Sequence, residues 1–88
     1  MNQIRAVIID DEQSGINAIT ALAEKHVPEL NIVAATTDPA TGIDLVENYH
    51  PDMVFLDINM PGMDGFDMLE EMKYRELKLV FETAHHEY

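Results

Sequence analysis

The feature that most constrains this chain is a set of short apolar runs, two of which stop on acids. Residues 4–9 (IRAVII) end at Asp10-Asp11, and residues 53–56 (MVFL) end at Asp57. Two further runs, residues 30–35 (LNIVAA) and 77–81 (LKLVF), have similar length. Runs this short are strand-sized, and strands that are apolar throughout, in place of alternating, belong to sheets covered on both faces.

The stretches between them have helical periodicity. Residues 14–26 repeat Ile16, Ile19 and Ala23 at helical spacing, and Pro28 follows. Asp38-Pro39 supplies a capping carboxylate and then Pro at the first helical position. The helix it starts places Ala40, Ile43 and Val46 on one stripe and stops before Pro51. A loop rich in Pro and Gly, residues 60–65, leads to a third helix with Phe66, Leu69 and Met72. The order βαβαβαβ predicts an α/β fold in which a parallel sheet carries helices on both faces.

Composition narrows the function. The chain has 88 residues, enough for one domain at most, and no repeat, linker or low-complexity segment. Apolar content of 47% with 25% charged residues argues for a folded chain. The absence of Cys excludes disulfides and thiolate metal sites. The N-terminal apolar run is too short for a signal peptide or a membrane span, so a cytoplasmic protein without a membrane partner is expected. Seventeen acidic residues against five basic ones give a net charge of −12. Nucleic-acid binding needs a cationic footprint, which this segment lacks. Most of the acids serve solubility.

Three of them invite a different reading. In open parallel sheets, ligands gather at the carboxyl ends of strands near the switch in strand order. Asp10, Asp11 and Asp57 all sit at such ends. Carboxylates brought together repel, and a divalent cation removes the conflict. Oxygen ligands without His or Cys favour Mg2+ or a similar hard ion over zinc. The competing reading is that each acid caps the helix that follows it; three acids at matching strand ends favour the shared site. Thr83, after the fourth strand, would present a hydroxyl to the same rim, where a phosphate oxygen could accept from it. His85 and His86 are adjacent in sequence, seldom converge on one ion, and are expected in a solvated loop. His26 and His50 are expected at helix-end surfaces, and Met60 and Met63 as packing residues.

The segment Asp57-Ile58-Asn59-Met60-Pro61-Gly62-Met63-Asp64-Gly65 (D-x-N-M-P-x-M-D-G) resembles the phosphoacceptor segment of response-regulator receiver domains. Ile8-Ile9-Asp10-Asp11-Glu12 resembles the family's acidic pair, and Thr83-Ala84 its switch threonine with the small residue after it. The tail from Val80 to Tyr88 resembles receivers attached to LytTR-type DNA-binding domains. The resemblance implies a flavodoxin-like open parallel sheet of βα repeats. It also implies a signalling role: Asp57 accepts a phosphoryl group from a sensor histidine kinase, forming an acyl phosphate. Asp11 and Asp57 would ligate Mg2+ directly, joined by the Asn59 backbone carbonyl, with Asp10 acting mainly through water. Thr83 would turn toward the phosphoryl group, and Ala84 would leave room for it. Such a module is no enzyme beyond its own phosphoryl transfer and dephosphorylation.

The resemblance covers the whole chain, yet the family's domain runs further. About four strands and three helices are expected here, without the family's last helix, strand and helix. The Lys that pairs with the phosphate and the aromatic switch residue have no counterpart in these residues. Two expectations follow: phosphoryl transfer weaker than in a complete domain, and an open edge at the fourth strand that promotes a homodimer or an exchange of elements between copies. Glu82, where the family continues an apolar strand, is unusual, since a buried carboxylate there would be costly. The alternative function is a phosphorylation-independent interaction or dimerisation module. An aspartyl phosphatase is disfavoured, because it needs an acid–base Asp two residues after the nucleophile and Asn59 occupies that position. A DNA-binding output would belong to a further C-terminal domain.

Overall fold

The computed structural model describes residues 3–58, 60, 65–74 and 76–82. Seven elements alternate: β1 (Ile4–Ile9), α1 (Gln13–His26), β2 (Leu30–Thr36), α2 (Pro39–Tyr49), β3 (Met53–Asp57), α3 (Gly65–Glu71) and β4 (Lys78–Glu82). The strands form one parallel sheet in the order β2-β1-β3-β4. This is the flavodoxin-like arrangement, whose order reverses between β1 and β3. No helix among the described residues is long and apolar enough to cross a membrane.

The strands differ in cover more than their composition suggests. Val7, Ile8, Ile9, Val54 and Leu56, on the two central strands, are wholly buried. Each such side chain contributes about 1.5–3 kcal/mol on removal from water. β2, by contrast, contains no fully buried residue, and Asn31 and Ala35 are exposed. In β4 the described side chains are half-buried or exposed, so the expectation of strands covered throughout holds only for the centre of the sheet.

Side chains alternate across a strand, so Val7, Ile9, Val54 and Leu56 share one face. There they pack with Val46 of α2 and with Met60, Met68 and Met72. α1 lies over the opposite face, where Ile19, Leu22 and Ala23 share a trough with Phe55.

The local signals mostly hold. Asp38 caps α2: its Oδ2 accepts from the Thr41 N–H at 2.9 Å and from the Thr41 hydroxyl at 2.7 Å. The expected stripe of α2 is shifted, because Ala40 is exposed and Gly42 is buried in its place. A Cβ on Gly42 would lie 2.8 Å from Ile9 Cδ1, so the glycine is what lets α2 close on β1. α1 starts one residue earlier than its periodicity indicates. β4 starts one residue later, at Lys78, whose N–H donates to the Asp52 carbonyl. Met72 is buried but lies just past α3. Phe66 is on α3, and its side chain is outside the described set.

Candidate functional site

β1 and β3 are neighbours, with Ile9 level with Leu56. One residue further along, Asp57 ends β3 and Asp10 follows β1, so the two stand side by side at the same edge of the sheet. Both are almost fully buried, at 6% and 5% exposure, and Asp11 is half-buried. One carboxylate oxygen from each of Asp10, Asp11 and Asp57 lies within 4.8 Å of the others.

Backbone groups hold this arrangement. The Asp10 N–H donates to the Thr36 carbonyl of β2 at 3.2 Å. Its Oδ1 accepts from the Glu12 N–H at 2.9 Å, which ties the carboxylate to the entrance of α1. Glu12 itself is the N-cap of that helix and makes no side-chain cap bond.

Carboxylates this close and this buried repel in a medium less polarisable than water. The donor set is all oxygen, as hard cations require. Opposed ligands of a magnesium ion stand about 4 Å apart, so the three oxygens are gathered to about the span of one ion with its waters. The residues present therefore fit a magnesium ion, with Asp10, Asp11 and Asp57 as the groups that would hold it.

The other expected site residues, Asn59, Thr83 and Ala84, lie outside the described residues, as do Met63, His85 and His86. Glu82 closes β4 with its backbone in register with Asp57, and its side chain is likewise not described. Met60 is buried in the core, as a packing residue should be.

Two features escape a reading of the sequence alone. Gly15, in the first turn of α1, faces the Asp10 carboxylate directly. A glycine inside a helix costs about 1 kcal/mol relative to alanine, and that penalty is the signal that marks the position. The second feature lies at the far pole of the sheet. Glu47 Oε2 accepts from the Lys73 and Tyr74 N–H groups at 2.6 and 3.0 Å. His50, exposed as expected at a helix end, takes a left-handed conformation (φ 45°) and stacks on the Tyr74 ring at 4.2 Å. The Tyr74 and Lys73 N–H groups hold the Glu47 carboxyl below its ordinary range.

Comparison with known proteins agrees with this geometry. The family model described as the response regulator receiver domain matches residues 6–88. A protein-glutamate methylesterase/protein-glutamine glutaminase of Yersinia pestis bv. Antiqua is 36% identical over 85 residues, covering 96% of this chain and 24% of that protein. The transcriptional regulatory protein DegU of Brevibacillus brevis is 35% identical over 89 residues, 36% of its length. The chain thus spans about a quarter to a third of these curated relatives. A DNA-binding response regulator of the LuxR family from Staphylococcus aureus superposes with a TM-score of 0.81 at 30% identity, over 96% of this chain and 71% of that one. The strand order, the acids at the ends of β1 and β3, and a match over nearly the entire sequence lead to one conclusion: this chain belongs to the response regulator receiver domain family.

Proposed function

We propose that the chain is a phosphoacceptor module of two-component signalling, with Asp57 as the phosphorylated residue and a sensor histidine kinase as the donor. The observation that carries this reading is the convergence of the Asp10, Asp11 and Asp57 carboxylates at adjacent strand ends. An Asp57 carboxylate oxygen attacks the phosphorus of a phosphohistidine. A P–O bond forms as the P–N bond breaks, and the imidazole nitrogen departs with the electron pair and takes up a proton. No oxidant or reductant is needed.

Phosphoryl transfer depends on alignment and on neutralising charge spread over oxygens. A magnesium ion held by Asp10, Asp11 and Asp57 would supply that neutralisation. β3 holds Asp57 at the rim, and Asp10 and Asp11 flank it from β1. By resemblance, the Asn59 backbone carbonyl would join the ion, Thr83 would contact the phosphoryl group, and Ala84 would leave it room. The activity is the module's own phosphorylation and dephosphorylation, in a cytoplasmic setting.

Intact mass after incubation with acetyl phosphate tests the reading. A single phosphoryl adduct that requires Mg2+ and disappears in Asp57→Ala is the expected result. Folded protein that gains no adduct would overturn it.

The tail's resemblance points to a LytTR-type DNA-binding output. The relatives described above are of methylesterase and LuxR kinds, so that assignment rests on the tail alone.

A second reading, assembly with another copy, is favoured by β4. Among the described residues this strand pairs on one side only, with β3, and Val80 and Phe81 are 37% and 42% exposed. An exposed apolar edge strand is a template for pairing. Sedimentation of the 88-residue chain should show a dimer; a single monomeric species across concentrations would rule it out.

A further inference from the structure

Gly15 stands apart from the other glycine that permits a close approach. Gly42 makes room for an aliphatic side chain, whereas Gly15 makes room for a charged one at the candidate site. A Cβ at position 15 would collide with Asp10 Oδ2 and lie 2.8 Å from its Cγ and 3.3 Å from Oδ1. A side-chain carbon and a carboxylate oxygen cannot occupy that space together, so one group must move. The Asp10 carboxylate has little freedom to do so, being 6% exposed and fastened through Oδ1 to the Glu12 N–H. A side chain at 15 would force it to give up that hydrogen bond or its place beside Asp11 and Asp57.

We propose that Gly15 is a positioning residue for the cation site: having no side chain, it lets the Asp10 carboxylate lie against the first turn of α1, at the distance from which it shares an ion with Asp11 and Asp57. This inference rests on the phosphoacceptor reading and deepens it. The group that would be displaced is one of the three carboxylates that would hold the ion, directly or through water, so the consequence falls on cation affinity more than on folding. Without a cation, displacement of Asp10 spreads the crowded charges, and alanine is the better helix former. The metal-free fold should therefore be unharmed.

The test measures Mn2+ affinity of the 88-residue chain by electron paramagnetic resonance, with melting temperature recorded in chelator. Wild type, Gly15→Ala, Asp10→Asn and the double variant form a cycle. Gly15→Ala should weaken Mn2+ binding by about tenfold, with an unchanged or higher melting temperature without metal. In the Asp10→Asn background the same substitution should change affinity by less than about twofold, because both act through one carboxylate. Equal affinities for wild type and Gly15→Ala, or losses that simply multiply, would overturn the inference while leaving the phosphoacceptor reading standing. No Mn2+ binding by folded wild type would sink both. Should Gly15→Ala fail to fold, Asp10→Ala in the same chain removes the clashing atoms. Recovered folding would then support the contact, and continued failure would refute it.

Discussion

At the N-terminal end of the sheet, charge is matched by partners. The Arg5 N–H donates to Asp52 Oδ2 at 2.9 Å, and the Asp52 N–H returns to the Arg5 carbonyl at 2.8 Å. The Arg5 guanidinium donates to the Tyr49 and His50 carbonyls at 2.8 and 3.2 Å, closing the end of α2 where its last carbonyls need donors. Glu47 does the same for the N–H groups after α3. At the C-terminal end three carboxylates of one sign meet, two of them buried. One pole of the sheet joins its charged and helix-end groups in hydrogen bonds, and the other gathers carboxylates of one sign.

That contrast can be tested at each pole. The largest expected effect is from the cation. Magnesium at a hundredfold excess over its dissociation constant should stabilise the fold by about 2.7 kcal/mol, a rise of roughly 10–20 °C for a domain of this size. Asp57→Asn should abolish most of that gain while raising the melting temperature in chelator, since it removes a like charge. A lower melting temperature in chelator would show that the three acids do not strain the fold.

The lower pole should respond with the opposite sign and less force. Arg5→Ala removes two charge-assisted hydrogen bonds to helix-end carbonyls and should cost about 1–2 kcal/mol by denaturant unfolding. Its effect should be the same with and without Mg2+. A loss that depends on magnesium would mean the poles are coupled.

The smallest effect concerns pH. Glu47 is held below its ordinary value of 4.5 by the Tyr74 and then the Lys73 N–H groups. A lowered folded-state value means the group stabilises the fold above the unfolded value, and that the contribution is lost as pH falls through the folded one. Asp38 acts in the same sense against 3.8, chiefly through the Thr41 hydroxyl and then its N–H. Glu47→Gln should therefore flatten the decline of stability below about pH 4.5, and an unchanged acid limb in thermal melts would argue against the contact.

What could be read in advance was what is local. Asp38-Pro39 announces a helix start because the cap bond spans three residues. The acids after β1 and β3 announce a site because a parallel sheet aligns strand ends whatever lies between them. The missed features are long-range. Glu47 and Lys73 are 26 residues apart, and Arg5 and Tyr49 are 44 apart, so no window of sequence contains either contact. Ala40 and Gly42 exchanged roles because the closeness of α2 to β1 is set by Ile9, on another element. Met68 is wholly buried, although the helical stripe of Phe66, Leu69 and Met72 does not include it. The half-exposed β2 reflects its place at the margin of the described sheet, which composition does not encode.

The strand order β2-β1-β3-β4 also sets a timetable. β2 reaches residue 36 and β3 ends at Asp57, so β1 can pair with β2 well before its other neighbour is made. At translation rates of about 5–20 residues per second, that interval lasts roughly 1–4 seconds. Through it, β1 has only one paired edge, and Asp10 and Asp11 wait without the residue that completes their cluster. The three carboxylates at the rim can come together only once β3 docks.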